Sequence, residues 1–152
     1  MDDADPRSEL PFVDEHTVVV AAPASVVWDG LGEWLRRQAR TSVPLARVLG
    51  TVPANAAGDP LRAGSAIPGF AVREAVPRER VVLAGRHRFS RYHLTFVLVP
   101  DGGRTRLSAR SEAAFPGLHG AAYRALVIGS GAHRLLVRRL LRSIKQAAEA
   151  DG

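Results

Sequence analysis

The sequence contains no cysteine. This absence excludes disulfide bonds, thiolate nucleophiles and zinc sites built on cysteine. No apolar run approaches the roughly 20 residues that a membrane-spanning helix needs. The opening residues, MDDADPRSELPF, are acidic where a secretory signal peptide would be basic and then apolar. We therefore expect no transmembrane segment, no export signal and a cytoplasmic protein.

The distribution of charge divides the chain into a short acidic lead-in and a basic body. The 152 residues carry a formal net charge of +6. Residues 1–15 contain six carboxylates and one arginine, a net charge of −5, which leaves +11 for the remainder. Hydrophobic residues make up 46% and charged residues 24%, which is typical of a globular domain. We expect a flexible acidic lead-in at 1–13 and one domain at 14–150.

The basic body has two interpretations. An arginine-rich surface can bind nucleic acid or an anionic membrane. An alanine- and arginine-rich composition is also what a GC-rich genome produces without any such partner. No ribonucleoprotein, zinc-finger or P-loop pattern supports the first interpretation. We therefore expect no specific nucleic acid partner, and a basic surface that binds nucleic acid or an anionic membrane stays as an alternative.

Periodicity predicts an α+β fold. The β-branched run at 15–22 predicts a first strand, and Pro23 suits the first turn of a helix. Apolar residues at helical spacing over 26–35 predict one short helix, or two separated by Gly30 and Gly32. Residues 53–64 are rich in proline and glycine and predict a surface loop. Further strands are predicted at 44–50, 66–67, 70–76, 80–87, 92–99 and 105–114.

Side-chain alternation orients the last three strands, because successive residues of a strand point to opposite faces. One set of positions is nearly all apolar and should face the core: Val81, Leu83, Gly85, His87, Tyr92, Leu94, Phe96 and Leu98. The complementary set should face water: Arg86, Arg88, Arg91, His93 and Thr95. This pattern predicts that His87 lies opposite Tyr92, and that Leu83 lies opposite Phe96.

The same alternation continues through the Asp101-Gly102-Gly103 turn into the last strand. The inner face of that strand is then Thr105, Leu107, Ala109, Ser111 and Ala113. We therefore expect His87, Tyr92 and Ser111 to meet at the end of the sheet where the terminal helix begins.

The last quarter of the chain, residues 115–148, predicts one long helix lying across the sheet. At 100° per residue its arginines fall on one side. The opposite, inward stripe is Leu118, Ala122, Leu126, Gly129, His133, Leu136, Leu140, Ile144 and Ala147. His133 is the one titratable group in the middle of that stripe. It is either a core histidine satisfied by one hydrogen bond, or a residue that contacts a ligand or transfers protons.

Four segments, in this order, resemble the SRPBCC or START-like superfamily, particularly its polyketide cyclase/dehydrase-like branch. They are VVVAAPASVVW at 18–28, GSAI at 64–67, REAVPRERVVL at 73–83 and LLVRRLL at 135–141. The resemblance implies a helix-grip fold: a curved antiparallel sheet wrapped around a long C-terminal helix, with one or two short helices after the first strand. It also implies a hydrophobic cavity between sheet and helix. Members bind lipids, sterols or polyketides, and some are cyclases or dehydratases without a shared catalytic motif.

We therefore predict that a small hydrophobic ligand binds beneath the first half of the terminal helix. The alternative is a cofactor-independent cyclase or dehydratase in which His133 is the catalytic acid or base. No carboxylate on the inner face supports a metal site, and neither a metal nor another cofactor is expected. The oligomeric state stays open. The candidate ligand-binding residues are His87, Tyr92, Phe96, Ser111, His119, Tyr123, Leu126, Gly129 and His133.

Overall fold

A computed structural model describes residues 10–151 of the chain. Residues 1–9, most of the predicted lead-in, lie outside the described residues. The elements are, in chain order, β1 (Phe12–Val20), α1 (Ala24–Thr41), α2 (Val43–Leu49), β2 (Ala66–Ile67), β3 (Phe70–Val76), β4 (Arg80–His87), β5 (Ser90–Asp101), β6 (Arg104–Ala114), α3 (Gly117–Arg124), a π-helical turn (Ala125–Gly129) and α4 (Ala132–Ala150).

The predicted α+β helix-grip class is confirmed. The six strands form one antiparallel sheet in the order β1-β6-β5-β4-β3-β2. Helices α1 and α4 pack against each other and against the sheet. Within residues 10–151, no helix is long and apolar enough to cross a membrane. The largest fully buried side chains between these layers include Val20, Leu31, Leu35, Leu83, Phe96, Leu107, Leu141 and Ile144.

The predicted inner face of β6 is confirmed, but the predicted register of the β4–β5 hairpin is wrong by two residues. Thr105, Leu107 and Ala109 are fully buried. In the hairpin, His87 lies opposite Ser90, and Tyr92 lies opposite Gly85. Leu83 and Phe96 are likewise not partners, since Leu83 lies opposite Leu94 and Phe96 opposite Val81. A shift of two keeps every side chain on its face, so alternation alone does not distinguish the two registers.

The segment 44–50 forms a helix and not the predicted strand. Helix α2 has Pro44 in its first turn and ends at Leu49, and the next residue, Gly50, has φ 64°. Proline in the first turn and a left-handed glycine after the last turn are common helix boundary signals. They outweigh the short apolar run on which the strand prediction depended.

Residues 24–41 form a single helix, α1, which settles the choice between one helix and two. Gly30 and Gly32 are both buried inside it. A Cβ at Gly30 would lie 3.7 Å from the Cβ of Ala148 in α4, and one at Gly32 would collide with the Leu61 side chain. The absent side chains allow close packing and do not interrupt the helix.

The terminal segment is broken into two parts and is not one helix. The π-helical turn follows α3, and Gly131 takes φ 79° before α4 starts at Ala132. As a result Leu118, Leu126 and Leu136 are exposed, not inward as predicted. The arginines Arg134, Arg138 and Arg142 are exposed as predicted. The buried line of α4 is Val137, Leu141, Ile144 and Ala148.

Candidate functional site

A pocket of about 360 Å³ lies between the end of the sheet and the broken terminal helix. It is partly open to solvent, and its lining is predominantly apolar. The lining comes from β1, α2, β3, β4, β5, β6, α3, the π-helical turn and α4. Its residues are Val13, Leu45, Phe70, His87, Ser90, Tyr92, His93, Leu94, Ser111, Glu112, Ala113, Phe115, Tyr123, Val127, Ile128, His133, Leu136 and Val137.

Aromatic rings form one wall of the pocket. The ring centroid of Tyr92 lies 5.1 Å from that of Phe70 and 5.6 Å from that of His87. Tyr123 packs edge-on to His87 at 4.7 Å and stacks on Phe89 at 5.3 Å. These distances fall in the range of favourable aromatic pairs. The wall therefore joins β3, β4, β5 and α3 into one packed surface.

A close backbone approach fixes the tyrosine in that wall. The Tyr92 hydroxyl donates a hydrogen bond of 2.6 Å to the carbonyl oxygen of Gly69. Gly69 reaches this position because Gly85, opposite Tyr92, has no side chain: a Cβ there would collide with the Gly69 carbonyl oxygen. Burial, with a smaller contribution from Tyr123, raises the pKa of Tyr92 to about 12. Tyr92 is therefore a neutral, positioned wall residue at physiological pH.

His87 has both ring nitrogens occupied within its own hairpin. Its Nδ1 accepts a hydrogen bond of 3.0 Å from the backbone N–H of Phe89. Because Nδ1 is an acceptor, the proton of the neutral ring lies on Nε2, which is 3.0 Å from the Ser90 hydroxyl oxygen. Burial lowers the pKa of His87 and favours this neutral form. The ring is a structural part of the wall rather than a free base.

His133 belongs to a polar cluster at the edge of the pocket. Its Nε2 lies 3.0 Å from the Ser111 hydroxyl oxygen and 3.3 Å from Oδ1 of Asp14. The other carboxylate oxygen of Asp14 lies 3.2 Å from Nε2 of His16. Asp14 and Ser111 are register partners on β1 and β6, so their side chains are neighbours. The side chains of His133 and Asp14 are 26% and 19% exposed.

The predicted site residues divide into two groups. His87, Tyr92, Ser111, Tyr123 and His133 all line the pocket. The other four do not: Phe96 is fully buried in the core, and His119, Leu126 and Gly129 are exposed. Whether the lining residues bind a ligand stays a prediction.

Several lining residues were missing from the prediction. Val127 and Ile128 take the places expected for Leu126 and Gly129, because the π-helical turn changes the angle per residue. Phe70 and Phe115 lay in segments with no polar signal. Asp14 does not line the pocket itself but contacts His133, and its place next to a predicted strand is the one signal for it in the sequence.

The described residues support neither a metal site nor a Ser-His-Asp triad. No three histidine, aspartate or glutamate side chains within residues 10–151 are grouped to hold a metal ion. The exposed Ser130 hydroxyl donates a hydrogen bond to the carbonyl oxygen of Leu126 and accepts one from the backbone N–H of Ala132. In the Ser111 cluster, the hydroxyl and the carboxylate contact the same ring nitrogen, so a Ser-His-Asp triad, which uses both nitrogens, is not formed.

A second depression lies at the opposite end of the strands. It has a volume of about 760 Å³ and is lined by the start of α1 and by the β3–β4 and β5–β6 turns. It is larger but more open, and Arg78, Glu79, Arg80 and Arg104 lie along it. The pocket beside His133 is the more apolar of the two, and it contains the convergent polar groups of a binding site.

The fold and the pocket together define a class: an α+β domain of helix-grip type with a pocket between sheet and terminal helix. No protein-family model matches the sequence, and no curated protein matches it.

Solved structures with the same fold include the following three proteins, each of low sequence identity. Mll3558 from Rhizobium loti is 20% identical with a TM-score of 0.55, and the match covers 88% of this chain and 96% of that one. CV1439 from Chromobacterium violaceum is 19% identical with a TM-score of 0.57, covering 91% and 99%. DynU16, from the dynemicin biosynthetic locus, is 18% identical with a TM-score of 0.52, covering 84% of this chain and 45% of DynU16. These likenesses establish the fold.

Proposed function

We propose that this chain is a helix-grip protein of the SRPBCC or START-like superfamily that binds one small hydrophobic molecule in the pocket beside His133. The observation that carries the proposal is the lining: aliphatic and aromatic side chains surround a few convergent polar groups. Small-molecule sites have this composition and a volume of roughly 300–1,000 Å³. At about 360 Å³ the pocket suits a ligand at the small end of that range.

The position of the pocket supports the same proposal. Its floor is the rigid sheet, while its cover is the π-helical turn with Val127 and Ile128. The turn is attached through Gly131, which takes a left-handed conformation. A rigid floor under a separately connected cover is an arrangement that can admit an apolar molecule.

A pocket-filling variant tests this function. Ala113 lines the pocket from β6, and Ala121 is exposed on α3. We expect naphthalene, as a plain apolar probe, to bind the wild-type chain and to lose at least about tenfold in affinity in Ala113→Phe. Ala121→Phe, which adds the same ring outside the pocket, should bind as the wild type does. Equal binding by both variants would place the probe elsewhere on the protein.

A cyclase or dehydratase is the second candidate function. The specific observation in its favour is the contact of His133 with both Asp14 and Ser111 on the pocket wall. An imidazole held next to a carboxylate is a common general acid–base arrangement. Native mass spectrometry of the purified protein would identify a co-purifying molecule, and that molecule can be re-added and followed for chemical change. Turnover that survives in His133→Ala would exclude this second function.

A further inference from the structure

We propose that the pocket takes an aromatic ligand carrying a hydroxyl group, a phenol, and that Nδ1 of His133 accepts the hydrogen bond from that hydroxyl. The proposal rests on the proposed binding function and adds the chemical class of the ligand. It follows from the protonation of the His133 ring and from the composition of the wall.

The hydrogen-bond network assigns the tautomer of His133. Ionised Asp14 is an acceptor only, so Nε2 of His133, at 3.3 Å from Oδ1, must carry a proton to make a favourable contact. The same N–H lies 3.0 Å from the Ser111 hydroxyl oxygen, which can also accept from it. In the neutral ring the lone pair is then on Nδ1. No residue within 10–151 donates a hydrogen bond to Nδ1 of His133.

The second carboxylate oxygen of Asp14 keeps the carboxylate in place. Oδ2 contacts Nε2 of His16, whose side chain is only 16% exposed. The carboxylate is therefore held from both sides, by β1 and by α4, and cannot turn away from His133 without losing a partner. Asp14 acts as a positioning residue, while His133 meets the ligand.

Most polar groups of the wall already have partners, and His133 supplies an acceptor for a ligand. Glu112 accepts a hydrogen bond from Nε of Arg110 and lies 4.0 Å from Nδ1 of His93. The Tyr92 hydroxyl is used by Gly69, and both ring nitrogens of His87 are used by Phe89 and Ser90. The aromatic rings of Phe70, Tyr92 and Tyr123 provide faces and edges on which another aromatic ring packs well. An acceptor beside an aromatic wall fits a planar ring that carries a hydroxyl group.

Two matched probes distinguish a failure of this inference from a failure of the proposed binding function. 2-Naphthol and naphthalene share their apolar body and differ only in the hydroxyl. We expect the wild-type chain to bind 2-naphthol at least about fivefold more tightly than naphthalene, the gain typical of one hydrogen bond. If neither probe binds, the proposed function fails. If both bind with equal affinity, the function stands and the inference is wrong.

Variants assign the preference to His133 and Asp14. His133→Lys keeps a donor for Asp14 but has no acceptor, so the affinity ratio of the two probes should fall towards one. Asp14→Asn should lower the ratio too, because an amide can donate to Nε2 and release the tautomer. The matched controls are His119→Lys and Asp29→Asn, two exposed positions outside the pocket, and they should keep the wild-type ratio. A ratio that survives in His133→Lys would overturn the inference.

Nitrogen NMR of the imidazole reads the tautomer without any ligand. In the neutral ring of His133, Nδ1 should show the chemical shift of an unprotonated nitrogen, and Nε2 that of a protonated one. In Asp14→Asn this difference should shrink. A neutral-ring spectrum of the wild type with the proton on Nδ1 would contradict the inference, even where both probes bind.

Discussion

Nε2 of His133 lies 3.3 Å from Oδ1 of Asp14, although 119 residues separate the two in the chain. The contact ties the start of α4 to β1 at the rim of the pocket, and the same carboxylate holds His16. Removing the carboxylate leaves His16 without this partner and leaves His133 with Ser111 alone. The contact therefore contributes to stability as well as to the site.

Asp14→Ala should destabilise the folded chain by about 1–2 kcal/mol, since hydrogen bonds to a charged group contribute roughly this much when partly shielded from water. Asp29→Ala, at an exposed position of α1, should change the free energy of unfolding by less than about 0.5 kcal/mol. Urea unfolding followed by circular dichroism measures both. Equal values for the two variants would mean that the Asp14 contacts are not maintained in solution.

Alanine substitutions at two glycines near the helix break should change the stability of the folded chain in opposite directions. Gly131 has φ 79°, where a side chain is strained, so Gly131→Ala should destabilise by about 1 kcal/mol. Gly129 lies in the π-helical turn without a positive φ, and a Cβ there meets no atom within 4 Å. Gly129→Ala should therefore stabilise by about 0.5–1 kcal/mol, because alanine restricts the unfolded chain. Equal effects at both positions in thermal unfolding would indicate an unbroken helix.

This break explains why half of the terminal segment was predicted wrongly. The angular projection assumed one helix of 3.6 residues per turn, and the π-helical turn with Gly131 changes the angle between its two halves. The projection also does not identify the buried residues after the break. The apolar run there is too broad to define one narrow stripe: Leu135, Leu136, Val137, Leu140 and Leu141. Only packing against β1 and α1 selects Val137 and Leu141 as the buried pair.

Gly85→Ala should be among the more costly single substitutions in the pocket wall. The added Cβ would collide with the Gly69 carbonyl oxygen and lie 2.7 Å from Cε2 of Tyr92. The backbone of Gly69 would have to move away, which would also break its hydrogen bond with the Tyr92 hydroxyl. Overpacking and the lost bond together should cost about 2–3 kcal/mol. A near-neutral effect in chemical unfolding would show that the β2–β3 turn does not lie over β4.

His87 should make stability fall on the acid side of neutrality. Its pKa is lowered in the folded state by burial, so the unfolded chain takes up a proton first as the pH decreases. Stability that is present above the unfolded pKa of roughly 6.5 is then lost as the pH falls towards the lower folded pKa. His87→Asn, whose side-chain oxygen can still accept from Phe89, should flatten this decrease between pH 7 and pH 5. His119→Asn, at an exposed position, is the control. If stability depends on pH in both variants as it does in the wild type, the prediction for His87 is wrong.

The sequence predicted the sheet better than the site. Alternation placed Tyr92, Ser111 and His87 on the inner face correctly, because the period of two survives a register error of two residues. Side-chain alternation does not predict the contact between Asp14 and His133. That contact depends on a register shift between Phe12 and Asp14, which brings the carboxylate opposite Ser111. The sequence also does not show which polar groups already have a hydrogen-bond partner. The hydroxyl of Tyr92, for example, is bonded to Gly69 in a turn that is distant in the chain.

A methyl-resolved NMR titration with naphthalene tests the central claim most directly, because it reports where a small apolar molecule binds. Val127, Ile128 and Val137 line the pocket, whereas Val48 and Leu118 are 73% and 90% exposed and lie outside it. We predict saturable chemical-shift changes at the methyl groups of the first three residues and none at the last two. Changes confined to Val48 and Leu118, or no saturable change at all, would contradict the claim that this pocket binds a small hydrophobic ligand.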